Sequence, residues 1–116
     1  MAKRNEFSRF TDGVVKIYLD KSARTDFGVK KNTRTLDDME FVAKLDFEEL
    51  SKRQQDQEFA EQNGFSLSMK IHTRLVAGLS NKCKAVIGDT LYDVSYIDKT
   101  RTDAYLYLEE VRKLDS

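Results

Sequence analysis

The residues of this 116-residue chain most able to do acid–base or nucleophilic chemistry are its single histidine, His72, and its single cysteine, Cys83. A histidine acting as a general base needs a nucleophile and an orienting group, and the sequence places neither beside His72. It stands on the polar side of an alternating stretch, which predicts an ordinary surface residue. Cys83 lies between two lysines in "NKCKA", a setting typical of reactive thiols, although a small residue entering a strand is the simpler interpretation.

Metal and carboxylate chemistry lack suitable residues. One Cys and one His cannot supply the ligands of a structural zinc site. The acidic pairs at 37–38, 48–49 and 109–110 suggest a two-carboxylate mechanism or a magnesium site. Adjacent residues of a strand point to opposite faces, however, so the two carboxylates of a pair cannot contact the same substrate. The stretch "GDTLYD" has neither the spacing nor the lysine of a phosphate-binding loop. The sequence therefore predicts a protein that is not an enzyme and binds no metal or other cofactor.

Tyrosines near the C-terminus could stack on nucleic-acid bases, as on an OB-type surface. These tyrosines are Tyr92, Tyr96, Tyr105 and Tyr107. On a half-buried hairpin, however, tyrosine more often belongs to a core or an interface. Twenty Lys and Arg balance twenty Asp and Glu, whereas a dedicated DNA-binding domain usually has a basic excess, because phosphate neutralisation supplies most of its affinity. An OB-like nucleic-acid-binding module therefore stays as an alternative function.

The rest of the composition predicts a protein made in the cytoplasm, without a membrane partner. One cysteine allows no internal disulfide, which fits a reducing compartment. The N-terminus, "MAKRNEFSRF", lacks the apolar run of a signal peptide, and no stretch approaches the ~20 apolar residues of a membrane span. Charged residues make up 34% of the chain and apolar ones 40%, so we expect either that much of the chain is mobile or that much of its surface binds a partner.

The elements that must position these residues are mostly strands. Residues 1–12 are expected to form a flexible N-terminal arm, and 13–116 a single domain with a long exposed loop at 21–35. Alternating apolar residues predict strands at 13–20, 39–47, 65–75 and 84–88, and then a hairpin with its turn at 98–103. This pattern predicts an all-β fold, either a small β-barrel or a strongly twisted antiparallel sheet, with a long polar loop or a short helix between its central strands.

Strict alternation also predicts which side chains share a face. In 65–75 the odd-numbered residues are expected inward, and the even-numbered ones, including His72 and Arg74, outward. In the second strand, we expect one face to carry Phe41, Ala43, Leu45 and Phe47. In the first hairpin strand, we expect one face to carry Tyr92, Val94 and Tyr96. In the second hairpin strand, we expect one face to carry Ala104, Leu106 and Leu108, and the opposite face to carry Tyr105 and Tyr107.

Residues 48–64 interrupt the alternation, with three apolar residues in seventeen. Good helix formers dominate, but so few apolar positions make no continuous stripe, so any helix would be short, with Gly64 as its terminator. A connection of this length is usually functional or mobile, so we expect it to contact partners or the interior of a channel. Its candidate contact residues are Gln54, Gln55, Gln57, Glu58 and the anchor Phe59. The alternative is a short helix that covers one open end of the barrel.

The order of these motifs resembles the head-closure, or head–tail connector, proteins of long-tailed bacteriophages. The likeness covers roughly residues 13–112 and is most specific in "VIGDTLYDV", where Tyr92 matches the family's recurrent tyrosine. Ala60, Gln62 and Gly64 match the family's small-x-Gln-x-Gly element. His72 departs from the pattern, since the family often has arginine there, and this departure matters if the position contacts a neighbouring subunit.

The resemblance implies a small β-barrel with a long excursion between two strands, and a structural role in the neck of a virion. It implies a ring of copies of this chain beneath the portal–adaptor ring, which closes the DNA-filled head and docks a tail-completion or tail-terminator protein, with passive contact to channel DNA. The candidate interface then consists of the five contact residues named above together with four others: His72, Arg74, Tyr105 and Tyr107. Another phage morphogenesis part, such as a tail-completion protein, would have a similar size and composition.

Overall fold

In the computed structural model, which describes residues 10–20 and 39–114, six antiparallel strands close into a barrel. The elements in chain order are β1 (Gly13–Asp20), β2 (Met39–Leu50), α1 (Gln54–Gln62), β3 (Met69–Arg74), β4 (Cys83–Ile87), β5 (Thr90–Lys99) and β6 (Asp103–Lys113). Around the barrel they follow the order β1-β2-β3-β6-β5-β4, and β4 pairs back with β1. The prediction of an all-β fold is confirmed in its barrel form, with a short helix between central strands.

Some predictions fall outside the described residues: the loop at 21–35, the acidic pair at 37–38 and most of the arm at 1–12. The end of that arm is described, and it contacts β2. The Asp12 N–H donates to the Phe47 carbonyl at 3.0 Å, and the Asp12 carboxylate accepts the Glu49 N–H at 2.7 Å. Within the described ranges no helix is long and apolar enough to cross a membrane.

The inward side chains of the strands fill the narrow interior that six strands enclose. Among those fully shielded from solvent are Val15, Ile17, Ile71, Ala104, Leu106 and Leu108. The prediction that Ala104, Leu106 and Leu108 share one face of β6 is thereby confirmed, and that face points inward. Thr73, also fully buried, donates its hydroxyl hydrogen to the Asp46 carbonyl at 2.9 Å, so its polar group is satisfied in the apolar core.

A β-bulge reverses the expected alternation in β2. The pairing with β1 skips Val42, so that Tyr18 faces Phe41 across the two strands. An extra residue in one strand reverses the alternation of faces between the residues before it and those after it. Phe41 is therefore 55% exposed, while Val42 packs against the core. The prediction that Phe41 shares the inward face of Phe47 is wrong for this reason.

A second bulge acts in the same way in β5. Val94 pairs with Leu108 and Tyr96 with Tyr107, so Ser95 is the extra residue. Tyr92 and Val94 point inward as predicted, but Tyr96 is 40% exposed on the outer wall. The prediction of one face for all three side chains of this strand is wrong after Val94.

The predicted strand at 65–75 begins only at Met69, because the preceding residues complete the helix terminus and return the chain to the barrel. Leu67 is nevertheless buried, as its inward position predicted. The connection between β3 and β4 inserts Leu79 into the core, and the Cys83 thiol donates to the Gly78 carbonyl at 3.4 Å. The interpretation of Cys83 as a small buried residue entering a strand is confirmed.

Candidate partner-contact surface

The polar segment at 48–64 forms the last residues of β2 and then helix α1, which is fixed at both ends by its own hydrogen bonds. At the start, the Asp56 carboxylate accepts the Arg53 N–H at 3.0 Å. At the end, Gly64 adopts φ +79°, and the N–H of Phe65 donates to the Ala60 carbonyl at 3.0 Å. This is the Schellman arrangement, which needs a left-handed residue after the helix, and it confirms Gly64 as the terminator.

Phe59 joins the helix to the barrel through an aromatic cluster of four rings: Phe59, Phe65, Tyr96 and Tyr107. The Phe59 ring centroid lies 4.8 Å from that of Tyr96, 5.6 Å from that of Tyr107 and 6.3 Å from that of Phe65. Aromatic pairs at such separations contribute about 0.5–1.5 kcal/mol each beyond the area that they bury. The rings of Tyr96 and Tyr107 stand on β5 and β6, so α1 is anchored to side chains of the barrel wall.

An ion pair adds a contact between α1 and β3. Lys70 Nζ lies 3.2 Å from Asp56 Oδ1 and 5.1 Å from the Tyr107 ring centroid, and both charged side chains are largely buried. Burial raises the pKa of Asp56, but the hydrogen bonds from the Arg53 N–H and from Lys70, together with the charges of both residues, outweigh burial and lower that pKa below its ordinary value. Asp56 is therefore an ionised group that holds the helix start against the wall.

The predicted polar contact residues lie together on the solvent side of α1. They are Gln54, Gln55, Gln57 and Glu58, all exposed. Gln54 Nε2 donates to Glu58 Oε2 at 3.3 Å, a contact between residues one helical turn apart. The structure therefore presents these side chains on an ordered helix, with Phe59 beneath them, and their amides and carboxylate are accessible to a partner.

His72 lies at the centre of a second group, the histidine cluster, formed by Phe10, Glu48, His72, Asp103 and Tyr105. Its Nδ1 is 3.1 Å from Glu48 Oε1 and its Nε2 is 2.6 Å from Asp103 Oδ2. The Tyr105 ring stacks on it at 4.5 Å, and the Phe10 ring meets it edge-on at 4.9 Å. His72 is only 4% exposed, so the prediction of a surface residue is wrong. It points outward from the barrel, but neighbouring side chains cover it.

The histidine cluster is built to connect strands. Glu48, His72 and Asp103 belong to β2, β3 and β6, which are adjacent around the barrel. A ring N–H can donate to each carboxylate, and the protonated imidazole donates to both at once. Because both ring nitrogens face carboxylates, neither nitrogen is directed at a substrate. The contacts between these three side chains instead link β2, β3 and β6. The exposed Arg74 continues this wall, with its guanidinium 5.8 Å from the Phe10 ring centroid.

The two clusters are neighbours on one wall. Tyr105 and Tyr107 alternate along β6, and their partners on β3 are His72 and Lys70. Every predicted contact residue therefore lies on α1 or on the outer side of β3 and β6. Sequence reasoning missed the supporting residues of this wall: Phe10, Glu48, Asp56, Lys70, Tyr96 and Asp103. Phe10 lies in the predicted N-terminal arm, and no spacing in the sequence marks the two carboxylates as partners of His72.

The four tyrosines do not form one free platform for base stacking. Tyr92 is buried, and burial, with a smaller contribution from the negative charge of Glu110, raises its pKa above the ordinary value. Tyr96 and Tyr107 contact Phe59, and Tyr105 contacts His72. Within the described ranges no group of three or more His, Cys, Asp or Glu is placed to hold a metal ion.

Comparison of the sequence with models of protein families finds no match, and neither does comparison with curated proteins.

Proposed function

We propose that the chain is a structural assembly protein of a phage neck. In this role, copies of the chain form a ring beneath the portal–adaptor complex, close the DNA-filled head and dock the tail through a tail-completion or tail-terminator protein. The support is the resemblance in motif order, together with a fold of the kind that it implies, a small barrel with an excursion between two strands. The place of action is the virion neck, after synthesis in the host cytoplasm.

The observation that carries this proposal is the docked helix α1. Its inner side is fixed to the wall by Phe59 and Asp56, and its outer side presents a row of polar groups that make few contacts with the described residues. A rigid polar surface of this kind suits contacts between subunits, because little conformational freedom is lost when a partner binds. Channel DNA would meet this surface only weakly, since it has no basic patch to hold phosphates.

A role without catalysis agrees with the same wall. His72 has a carboxylate at each ring nitrogen, and the Cys83 thiol is buried and donates to a backbone carbonyl. Both groups thus act within the fold, as expected of a component whose work is binding. The tyrosine surface on which an OB-like function would depend is occupied by contacts inside the protein, so we do not adopt that alternative.

Head–tail joining in vitro tests the proposal. DNA-filled heads that lack this protein, from the phage that encodes it, are mixed with tails and with purified protein, and joined particles are counted by electron microscopy and by infectivity. The test variant replaces the outer face of α1 with alanine at Gln54, Gln55, Gln57 and Glu58. The matched control replaces four exposed residues in or next to two turns with alanine, at Asn81, Lys82, Lys99 and Arg101.

We expect the wild-type protein and the control to restore joining, and the α1 variant to fold normally but to join at least about tenfold fewer particles, because contacts at an interface centre dominate binding. If the wild-type protein restores no joining, the neck assignment is wrong. If the α1 variant joins as well as the control, the helix is not the contact surface.

A further inference from the structure

A second exposed surface lies on the outer face of β1 and β2, which stand across the barrel from β6 and β5. We name it the β1–β2 patch, and its residues are Val14, Lys16, Tyr18, Phe41 and Lys44. It holds two of the large apolar side chains that the described chain exposes, Val14 at 38% and Phe41 at 55%. None of its residues belongs to the aromatic cluster or the histidine cluster.

Two lysines face each other at the centre of this patch. Lys16 and Lys44 are direct partners in the pairing of β1 with β2, and both side chains are exposed. Like charges in directly opposite positions destabilise a strand pair. Neither ammonium makes an ion pair within the described ranges, and the one acid beside them on these strands is Asp46, the partner of Val14. A pair of carboxylates from outside the chain would relieve this repulsion.

The bulge at Val42 places an aromatic ring next to the lysine pair. It turns Phe41 outward to meet Tyr18, with ring centroids 5.6 Å apart and planes at 76°. Tyr18 is itself half-buried and packs on a small apolar cluster of the outer wall with Met39 and Val86. The exposed ring therefore has support from beneath, and an aromatic side chain that is already held in place loses little freedom on binding.

We infer that the β1–β2 patch binds an acidic segment of a protein partner, in which two carboxylates meet Lys16 and Lys44 and an apolar side chain covers Phe41. Charge complementarity and the neighbouring apolar side chains favour this occupant. Nucleic acid fits less well, because Asp46 would repel a row of phosphates and Val14 would be covered by no apolar group. The inference is independent of the neck proposal, since it concerns the wall opposite α1.

Fluorescence anisotropy with labelled probes tests this site on the intact chain. The probes are a short peptide of alternating Glu and Leu, the same peptide with Ser for Leu, the same peptide with Lys for Glu, and an oligothymidylate. We expect the Glu/Leu peptide to bind in a saturable and salt-sensitive manner. The affinity of each other probe should be lower by a factor of at least about ten.

Substitutions then locate the binding. The double variant K16E/K44E is expected to bind the Glu/Leu peptide about tenfold more weakly, and Phe41→Ser about threefold more weakly. The matched control K82E/K99E makes the same charge change at an exposed turn residue and at the exposed last residue of β5, and it is expected to stay within about twofold of wild type. Thermal unfolding of each variant checks that the barrel is intact.

The inference is overturned if the Glu/Leu peptide shows no saturable binding, or if K16E/K44E and K82E/K99E lose equal affinity. Stronger binding of the oligothymidylate than of the peptide, abolished by K16E/K44E, would assign the patch to nucleic acid instead. None of these readings uses heads or tails, so loss of peptide binding and loss of head–tail joining are separate outcomes.

Discussion

Tyr96 and Tyr107 face each other on the outer wall, with ring centroids 5.3 Å apart, and Phe59 of α1 contacts both rings. This contact depends on the extra residue Ser95, which turns Tyr96 out of the barrel. One bulge in β5 thereby supplies half of the surface on which the helix docks. Bulges re-aim side chains at the cost of one unpaired residue, and here the re-aimed ring positions the polar face of α1.

Phe59→Ala should undock the helix. A buried phenylalanine replaced by alanine costs about 3–5 kcal/mol, and because Phe59 is half-buried we expect the free energy of unfolding to fall by about 2 kcal/mol. Urea unfolding measures the loss, and hydrogen exchange should become faster for the amides of Gln54–Gln62 while the barrel strands stay protected. Phe41→Ala removes an exposed ring with one aromatic neighbour, Tyr18, and serves as the control, which should lower the free energy of unfolding by no more than about 1 kcal/mol. Equal losses in the two variants would contradict this account.

Asp56→Asn should show how the ion pair with Lys70 depends on pH. The pKa of Asp56 is lowered in the folded protein, so its carboxylate stabilises the fold above the unfolded pKa of about 3.9, and this contribution is lost as pH falls through the folded pKa. At pH 7 we expect the variant to be less stable by about 1–2 kcal/mol. Below about pH 4 the difference should shrink.

Urea titrations at several pH values measure this difference, with the exposed Asp98→Asn as the control. A difference between Asp56→Asn and wild type that stays constant from pH 7 down to about pH 2 would show that its cause is not the charge of Asp56.

Gly64 should be replaceable only at a cost set by its backbone. A Cβ atom added there meets no atom within 4 Å, so its φ of +79° is the sole obstacle to a side chain. We expect Gly64→Ala to lower the free energy of unfolding by about 1 kcal/mol, and Gly64→Asn to lower it by less, because asparagine adopts the left-handed region more readily. Thermal unfolding compares the two variants. An asparagine variant that is the less stable of the pair would refute the backbone explanation.

Sequence could predict those features of the fold that depend on the residue pattern of a single strand. The alternation of Val15 and Ile17 in β1, and of Leu106 and Leu108 in β6, predicts their inward faces. The outward turn of Tyr96 was not predictable in this way, because a bulge depends on how two strands pair, and no local pattern records an extra residue.

The contacts of His72 were hidden for a related reason. Glu48 lies 24 positions before it and Asp103 lies 31 positions after it, so only the order of strands around the barrel brings the three side chains together. Composition did indicate the character of α1, since few apolar residues among good helix formers predict a short helix with one anchoring ring. It did not indicate the wall to which that ring binds.

His72→Phe should separate the two contributions of the histidine cluster. Phenylalanine retains a ring that stacks on Tyr105 but has no N–H, so the hydrogen bonds between His72 and the carboxylates of Glu48 and Asp103 are lost. Leaving a buried polar group without such a bond costs about 1–3 kcal/mol, and more for a charged group. Because the two acids are 34% and 18% exposed, we expect a loss of about 2 kcal/mol in the free energy of unfolding.

A second substitution tests the cause of that loss. Asp103→Asn in the His72→Phe background puts a neutral amide in place of the carboxylate that has lost its bond to His72, and we expect it to recover about half of the lost stability, whereas Asp103→Asn alone should destabilise the protein. Urea unfolding of the four proteins completes this double-mutant cycle. Two outcomes would contradict this account: a His72→Phe variant as stable as wild type, or effects of the two substitutions on stability that simply add. Either outcome would show that His72 stabilises β2, β3 and β6 through its ring contact with Tyr105 rather than through its bonds to the carboxylates.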